Sequence, residues 1–326
     1  MAWNDLTRVN ILEQMRTVGP NTFMKLHLIE DVEDLDGQQA DYAIVGIPDD
    51  SGEFFRVGQR FAPNSIREMS AMLRPYHINM GVNVMEELKG FDYGDVNCIP
   101  NRTEFNQKRA YEKIVKLVEK NIIPISLGGD HSIALPDMRA VAKVHGPIGL
   151  VHFDSHIDTQ DEFYGDRYNN GTALRRAIEE GILDPARTIS IGIKGTQFET
   201  DETQKSRDLG IEVITMDEFE EIGVDETVRR IMNRIGDGKT FLTFDIDCID
   251  NSCAPGGGVY ELGGFTTREI IRIMKGIKEA NFVGFDISEV CPAYDVGGIT
   301  SYMAAALVQT FMAMIAIRKR KEGQPK

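Results

Sequence analysis

Short apolar segments alternate with longer amphipathic segments along most of the chain. The apolar segments are rich in Val, Ile, Leu and Phe and predict strands at 42–48, 121–129, 148–154, 188–194, 211–216, 240–247 and 281–290. The amphipathic segments predict helices at 62–72, 105–120, 133–145, 172–181, 217–235, 266–280 and 300–320. Nearly continuous apolar strands separated by helices predict a mostly parallel central sheet covered on both faces, which is a three-layer α/β/α sandwich.

The order of these segments is not interrupted by a Ser/Pro-rich linker, an internal repeat or a low-complexity stretch. We therefore predict a single domain over residues 1–326, with residues 1–40 as an N-terminal extension. The charged segment 319–326 is predicted to be a frayed tail.

Composition and net charge indicate which kinds of molecule the protein binds. Of the 326 residues, 42% are hydrophobic and 27% are charged, as in an ordinary globular protein. The net charge of −15 lacks the basic footprint of nucleic-acid-binding proteins, so we expect no nucleic-acid partner. The same negative charge attracts small cations.

Targeting features are also informative. The four cysteines show no C-x-x-C spacing, which indicates a reducing compartment. The first residues carry charges throughout and lack the apolar core of a signal peptide. No apolar run approaches the length that spans a bilayer. We expect a cytoplasmic protein without a membrane partner.

The segment VHFDSHIDT at 151–159 places Asp154, His156 and Asp158 at every second position after an apolar run. If the strand conformation continues, these three side chains project from one face. His152, one residue before Phe153, is expected to point away from them. The segment is either a strand end whose polar residues meet water or a metal site built from carboxylate and imidazole ligands.

Similar polar groups end three further predicted strands. GGDHS follows strand 121–129, Asp245 and Asp247 end strand 240–247, and Glu289 lies at the end of strand 281–290. Ligands of open parallel sheets bind beyond the carboxyl ends of the strands, so these groups are expected to meet. The candidate metal ligands are His131, Asp154, His156, Asp158, Asp245 and Asp247. Four carboxylates are too many for one divalent ion but suit two ions with shared carboxylates.

These motifs resemble those of the ureohydrolases, the family of arginase, agmatinase and related enzymes that act on guanidino compounds. The resemblance extends from about residue 19 to the last predicted helix. Four segments resemble the metal and substrate motifs of the family, namely GGDHS at 128–132, DSHID at 154–158, TFDIDCID at 243–250 and FDISEVCP at 285–292. Residues 46–68 resemble its N-terminal glycine-rich segment, and residues 254–266 its active-site loop. Several ordered motifs in the right strand context are far more specific than one short pattern.

The resemblance implies the arginase fold and a dinuclear site with Mn²⁺, or Ni²⁺ as the alternative. His131 and Asp158 are then expected to bind one ion, and His156 and Asp247 the other. Asp154 and Asp245 are expected to bridge the two ions. Asp158 is also the expected catalytic proton carrier, and Glu289 is expected to bind the guanidinium group of a small cationic substrate. The reaction is hydrolysis of a C–N bond to urea, or a urea-like product, and an amine.

Two positions depart from the family pattern at the expected substrate site. Agmatinase-like relatives usually carry His-Gly-Thr where this chain has Asn170-Gly171-Thr172, and Asn cannot titrate. The loop that usually reads A-P-G-T-G-T-P here has Val259 in place of its second threonine. We therefore treat Asn170 and Val259 as candidate substrate-binding residues that change specificity.

The substrate remains open among several classes. The two departures favour an alkylated guanidine, guanidine itself or a biguanide such as metformin, whereas an ordinary agmatinase or guanidinobutyrase is the alternative. A non-catalytic subunit of a heteromeric ureohydrolase is the alternative from another class. The resemblance also implies a homo-oligomer, a trimer or hexamer, with a heteromer containing a paralogous chain as the minority option.

Overall fold

A central sheet of eight strands organises the computed structural model, which describes residues 15–35 and 37–323. The strands are β1 (Tyr42–Gly46), β2 (Gly90–Asp95), β3 (Ile123–Leu127), β4 (Ile148–Phe153), β5 (Leu183–Ile193), β6 (Glu212–Thr215), β7 (Thr240–Asp245) and β8 (Phe282–Ser288). Their order across the sheet is β2-β1-β3-β8-β7-β4-β5-β6. Each neighbouring pair is parallel, so all carboxyl ends lie at one edge.

Helices cover both faces of this sheet. They are α1 (Ala62–Ser70), α2 (Val84–Glu87), α3 (Thr103–Glu119), α4 (Ala134–His145), α5 (Ala173–Glu179), α6 (Glu202–Asp208), α7 (Met216–Ile235), α8 (Thr267–Gly276) and α9 (Ile299–Glu322). Side chains of α1, α7, α8 and α9 share one hydrophobic core, to which β1 contributes Ile44. Side chains of α3, α4 and α5 share the second core, to which β1 contributes Ala43 and Val45. Successive side chains of β1 therefore point into the two cores in turn, so the sheet is covered on both faces. This confirms the predicted three-layer α/β/α sandwich.

Each predicted strand and helix forms, with ends that differ by a few residues. The prediction omitted the edge strand β2, the short helices α2 and α6, and a small hairpin of Tyr76–His77 with Val82–Asn83. Strand β2 was missed because its sequence GFDYGD breaks the apolar pattern with two carboxylates. One of them, Asp92, is fully buried and accepts hydrogen bonds from Arg67 of α1 at 2.8 and 2.9 Å.

Helix α9 corrects two expectations. Among the described residues, it is the one helix whose length and mean hydropathy of 1.5 would allow it to cross a membrane, so the expectation that no run approaches that length was wrong. However, 78% of its apolar window is buried within the protein, and Phe311 stacks on Phe285 of β8 at 4.5 Å, as in a core helix. Residues 319–322, assigned from the sequence to a frayed tail, are helical, and the Lys319 ammonium group pairs with Asp41 at 2.7 Å.

The buried ion pair between Arg67 and Asp92 joins α1 to the edge strand. We expect Arg67→Met to lower the free energy of unfolding in urea by about 3–5 kcal/mol, because it leaves the buried Asp92 carboxylate without its charged partner. The matched control is Arg318→Met, which removes a surface pair with Glu322 and should change that free energy by less than about 1 kcal/mol. Equal effects of the two substitutions would contradict this role of Asp92.

Candidate metal centre

Four neighbouring strands in the middle of the sheet deliver the predicted site residues to one edge. His131 begins the 3-10 turn that follows β3, and Asp154 directly follows β4. Asp245 is the last residue of β7, and Glu289 directly follows β8. Because β3, β8, β7 and β4 are adjacent and parallel, their polar ends meet as the sequence predicts.

The first cluster surrounds the Nδ1 atom of His131. This atom lies 2.9 Å from Asp154 Oδ2, 2.9 Å from Asp158 Oδ2 and 3.4 Å from Asp245 Oδ2. All four side chains are buried. One imidazole nitrogen and three carboxylate oxygens therefore converge on one position.

The second cluster surrounds the Nδ1 atom of His156. This atom lies 3.0 Å from Asp247 Oδ2 and 3.4 Å from Asp154 Oδ1. Asp154 therefore directs one carboxylate oxygen to each histidine. The structure brings all six predicted ligands together in two groups, and Asp154 lies between them.

The loop after β4 reaches this arrangement by turning rather than by continuing the strand. The Asp154 Oδ1 atom accepts a hydrogen bond from the backbone N–H of His156 at 2.6 Å, and Asp158 has a φ of 49°. Glu289 likewise has a φ of 63°. Residues other than glycine adopt such left-handed conformations rarely, because the conformation costs energy that surrounding contacts must supply. The expectation of an extended segment through Asp158 was wrong, although its three polar side chains do converge.

His152 also differs from the expectation. Its side chain is fully buried, with Nε2 2.9 Å from Asp154 Oδ2 and Nδ1 2.9 Å from Ser190 Oγ. The prediction that it points away from Asp154 was wrong because residues two apart on a strand share a face. His152 thus fixes the position of the Asp154 carboxylate, which lies between the two clusters.

A buried hydrogen-bond chain fixes the orientation of His131. Its Nε2 atom lies 2.7 Å from Thr243 Oγ1, and this hydroxyl donates to Asp286 Oδ1 at 2.7 Å. Because the hydroxyl proton goes to Asp286, Thr243 accepts the Nε2–H proton of His131. The Nδ1 atom is then left to face the carboxylates, which is how outer hydrogen bonds select the tautomer of a ligating histidine.

The crowded carboxylates perturb one another. Burial, with the charges of Asp247 and Asp154, raises the pKa of Asp245 well above its usual value. Burial alone would raise the pKa of Asp154, but the three adjacent histidines hold it well below its usual value. Burial opposes protonation of His131, yet the adjacent carboxylates of Asp154 and Asp158 raise its pKa well above the usual value. The buried carboxylates of this cluster therefore need positive charge beside them to stay ionised.

The residues present fit a divalent metal pair. Within the described part of the chain, His131 Nδ1 and Asp158 Oδ2 are buried and have no hydrogen bond of good geometry, although they face each other. Two sets of side chains place their ligand atoms close enough to hold an ion, namely His131, His152, Asp154 and Asp158, and Asp154, His156 and Asp247. Asp154 belongs to both sets, His152 joins the first although it was not predicted as a ligand, and Asp245 lies at 3.4 Å from His131 outside both. Metal ions displace protons from such groups and supply the missing positive charge.

A pocket of about 330 Å³ opens onto these clusters. Glu289, Asn170 and Val259 all line it, so the structure places the predicted substrate-binding residues beside the predicted metal ligands. The aromatic side chains in its wall are Phe54, Phe55, Phe163, Tyr164 and Phe198. Among the described residues that line the pocket, Lys194 is the one Lys or Arg, and its ammonium group donates to Ser155 Oγ and to the carbonyl of Asp247.

Glu289 is held on both of its oxygens. Its Oε1 accepts the backbone N–H of His131 at 2.7 Å, and its Oε2 accepts the Nε2–H of Gln59 at 2.9 Å. Burial, with the nearby charges of Glu53 and Asp130, raises its pKa well above the usual value. The sequence analysis missed Gln59 and Glu53, although both lie in the glycine-rich segment 46–68 that it identified.

Asn170 and Val259 contribute different surfaces. Asn170 begins a short 3-10 turn, and its side-chain amide is 3.5 Å from Glu53 Oε2. Val259 offers an apolar surface where a threonine hydroxyl is usual in the family pattern. Val259 has no hydroxyl to donate, and the side-chain hydrogen bond to Glu289 comes instead from Gln59, in the N-terminal part of the chain.

Comparison with known proteins agrees with this geometry. A profile described as the arginase family matches residues 40–314. Guanidinopropionase of Pseudomonas aeruginosa is 36% identical over 92% of this chain and 93% of its own length. The mitochondrial agmatinase of Gallus gallus is also 36% identical, over 92% of this chain and 87% of its own.

A solved structure gives the same result for the fold. Proclavaminate amidino hydrolase from Streptomyces clavuligerus superposes with a TM-score of 0.88 at 35% identity, covering 93% of this chain and 99% of its own. The chain therefore belongs to the arginase family, whose members are metal-dependent hydrolases that act on guanidino C–N bonds.

Proposed function

We propose that this protein hydrolyses a compact guanidino cation, namely an alkylated guanidine, guanidine itself or a biguanide such as metformin. The products are urea, or a urea-like compound, and an amine or ammonia. The observation that carries the proposal is that Glu289, Asn170 and Val259 line the same pocket as the histidine and aspartate clusters.

Within this proposal, Glu289 binds the guanidinium group. Hydrogen bonds from His131 and Gln59 fix the carboxylate orientation before the substrate arrives. Its charge would pair with the cation through short, charge-assisted hydrogen bonds. A rigidly held carboxylate loses little entropy when it binds, which favours positioning of the guanidino carbon beside the histidine and aspartate clusters.

The six metal ligands are His131, Asp154, His156, Asp158, Asp245 and Asp247. Divalent ions at such a site supply hydroxide near neutral pH and stabilise developing negative charge. Asp158 lies at the inner wall of the pocket and is suited to carry a proton to the leaving nitrogen. The carboxylate-rich donor set favours Mn²⁺, and the two imidazoles also allow Ni²⁺.

Asn170 cannot titrate, so the proton for the departing nitrogen comes from Asp158 or water, whichever substrate is bound. One feature of the pocket supports a compact cation over the guanidino acids of other family members. The ammonium group of Lys194 is already engaged, which disfavours binding of the carboxylate of a guanidino acid. Ordinary agmatinase or guanidinobutyrase activity remains the alternative that the experiments below separate.

The complete set of metal ligands, together with Glu289, favours a catalytic chain over a non-catalytic subunit. Loss of catalysis usually removes selection on the metal-binding residues. A purified single chain loaded with Mn²⁺ or Ni²⁺ is the appropriate material for an assay of urea release over a panel of guanidines. Activity of this chain alone would exclude the non-catalytic role.

Asp158→Asn and Glu289→Gln separate metal binding from substrate binding. We expect the wild type to hold about two ions per chain, since six ligands form two groups. Asp158→Asn should lower both the metal content and, by about a hundredfold or more, the rate of urea release. Glu289→Gln should retain the metals but lose productive guanidinium binding. Metal analysis and kinetics check both, and equal metal loss in the two variants contradicts the separate roles.

Asn170→His combined with Val259→Thr restores the usual family pattern. We expect this double variant to gain activity on agmatine or 4-guanidinobutyrate, on the order of a hundredfold, because a proton donor returns. Its activity on the compact cation should fall. The measurement is kcat/KM for each substrate with both metals. Ordinary turnover of agmatine by the wild type would instead support the plain agmatinase assignment.

We also expect a homo-oligomer, a trimer or hexamer, because enzymes of this family are typically oligomers. Light scattering of the purified, metal-loaded chain measures its mass in solution. A stable monomer contradicts this expectation, whereas activity that appears only after a paralogous chain is added favours the heteromer.

A further inference from the structure

Glu53 places a second carboxylate beside Glu289 in the wall of the pocket. Its Oε1 accepts the backbone N–H groups of Phe54 at 2.7 Å and Phe55 at 2.8 Å. Its Oε2 faces the side-chain amides of Gln59 at 3.1 Å and Asn170 at 3.5 Å. One oxygen anchors the carboxylate to its own loop, and the other is presented to the neighbouring polar groups.

Gln59 ties the two carboxylates together. Its Nε2 donates to Glu289 Oε2 at 2.9 Å and to Glu53 Oε2 at 3.1 Å, so both amide hydrogens are used. The opposite amide orientation would direct an acceptor at two carboxylates, which excludes it. Because both oxygens contact one nitrogen, they must lie close to each other.

The active-site loop closes over this group without a side chain. At Gly258, a Cβ atom would lie 2.3 Å from Gln59 Nε2 and 3.1 Å from the Oε2 atoms of Glu53 and Glu289. Such a close approach allows only glycine, and it shields the paired carboxylates on that side.

The neutral Gln59 amide does not balance the charge of the two carboxylates. A guanidinium-type cation adds positive charge and presents its N–H donors in one plane, along several edges. Two fixed carboxylates side by side suit such a cation better than a point charge.

We propose that Glu53 is a specificity-determining residue that binds the head group of the substrate together with Glu289. The two carboxylates accept N–H donors from two adjacent edges of one compact cation, such as unsubstituted guanidinium or the joined amidine units of a biguanide. This assignment rests on the proposed function, in which Glu289 binds the guanidinium.

The position of Glu53 separates compact cations from long ones. Because Glu53 and Glu289 share one amide nitrogen, Glu53 lies beside the head group and not at the far end of an extended substrate. The distal ammonium of agmatine, four methylenes away, cannot reach Glu53 while its guanidinium occupies Glu289. An alkyl chain on the edge that faces Glu53 removes a donor and leaves that carboxylate without a partner.

The aromatic wall of the pocket suits an apolar substituent on the cation. Phe54 lies 5.8 Å from Phe163 and 5.3 Å from Tyr164 between ring centroids, and Phe163 lies 5.4 Å from Phe198. The side chains of Phe54, Tyr164 and Phe198 are 47%, 85% and 78% exposed. These rings offer an apolar, cation-compatible surface to a small N-alkyl group.

Glu53→Gln tests the assignment because it removes the charge and retains the shape. Competitive inhibition of the best substrate of the panel by guanidinium chloride gives an apparent Kd for the head group in the metal-loaded protein, whether or not guanidinium is itself hydrolysed. We expect the Kd for guanidinium to rise about tenfold or more, since a charged hydrogen-bond acceptor is lost. KM for guanidine and 1,1-dimethylbiguanide should rise similarly with a smaller change in kcat. KM for 4-guanidinobutyrate should change less than about threefold.

The matched control is Glu202→Gln. Glu202 is another carboxylate of the pocket wall, and its Oε1 accepts the backbone N–H of Glu199 at 3.0 Å. Glu202→Gln changes the net charge by the same amount as Glu53→Gln, but Glu202 is not paired with Glu289. We therefore expect guanidinium binding to stay within about twofold of the wild type. Both variants should retain the metal content of the wild type.

Several outcomes overturn the assignment. A Kd for guanidinium within about twofold of the wild type in Glu53→Gln excludes the contact, as does an equal rise in both variants. Absence of guanidinium binding to the wild type at millimolar concentrations also overturns it. If the wild type prefers agmatine but Glu53→Gln still weakens guanidinium binding selectively, the proposed function fails and the assignment of Glu53 stands.

Discussion

The concentration of buried negative charge at one edge of the sheet is the constraint on which the rest of this structure depends. Asp154, Asp158, Asp245 and Asp247 are buried within reach of two imidazoles, and Glu289 lies beside them. Burying unpaired carboxylates is costly, and here the cost is offset by histidines, backbone N–H groups and the divalent ions that such donor sets bind. An apolar replacement of these groups would make the edge easier to bury. Their presence therefore marks this edge as the part of the fold that is shaped for chemistry.

The fold meets this constraint with regular central strands and strained loops at their ends. The central strands β3, β8, β7 and β4 are buried on both faces and hold the ends of the site at fixed spacing. At the site, the departures from regular geometry lie in the loops, where Asp158 and Glu289 adopt left-handed conformations. Backbone hydrogen bonds next to the strand ends compensate for them, such as that from the Glu289 N–H to the carbonyl of Gly129 at 2.9 Å. Rigid strands thus support loops that could not hold their conformation alone.

The sequence predicts the fold and the gathering of ligands because both follow from short-range patterns. Apolar runs identify the central strands, and polar residues at their carboxyl ends identify the edge that binds ligands. The direction of the side chains in the loop after β4 could not be predicted from the sequence, because Asp158 leaves the extended conformation that its spacing suggests. The carboxylate pair of Glu53 and Glu289 could not be read from the sequence either. It depends on Gln59, which contacts a residue 230 positions away and carries no local pattern.

The support of Glu289 by Gln59 has a consequence for how this enzyme could diversify. The predicted metal ligands lie at or just beyond the carboxyl ends of β3, β4 and β7, whereas Gln59 precedes α1 and is remote from them in the chain. If Glu289 orients the substrate as proposed, substitutions at residues 53–59 would alter which head group fits while every predicted metal ligand stays unchanged. The glycine-rich segment would then be able to evolve independently of the hydrolytic centre and redirect it among nitrogen-rich cations while the reaction stays the same.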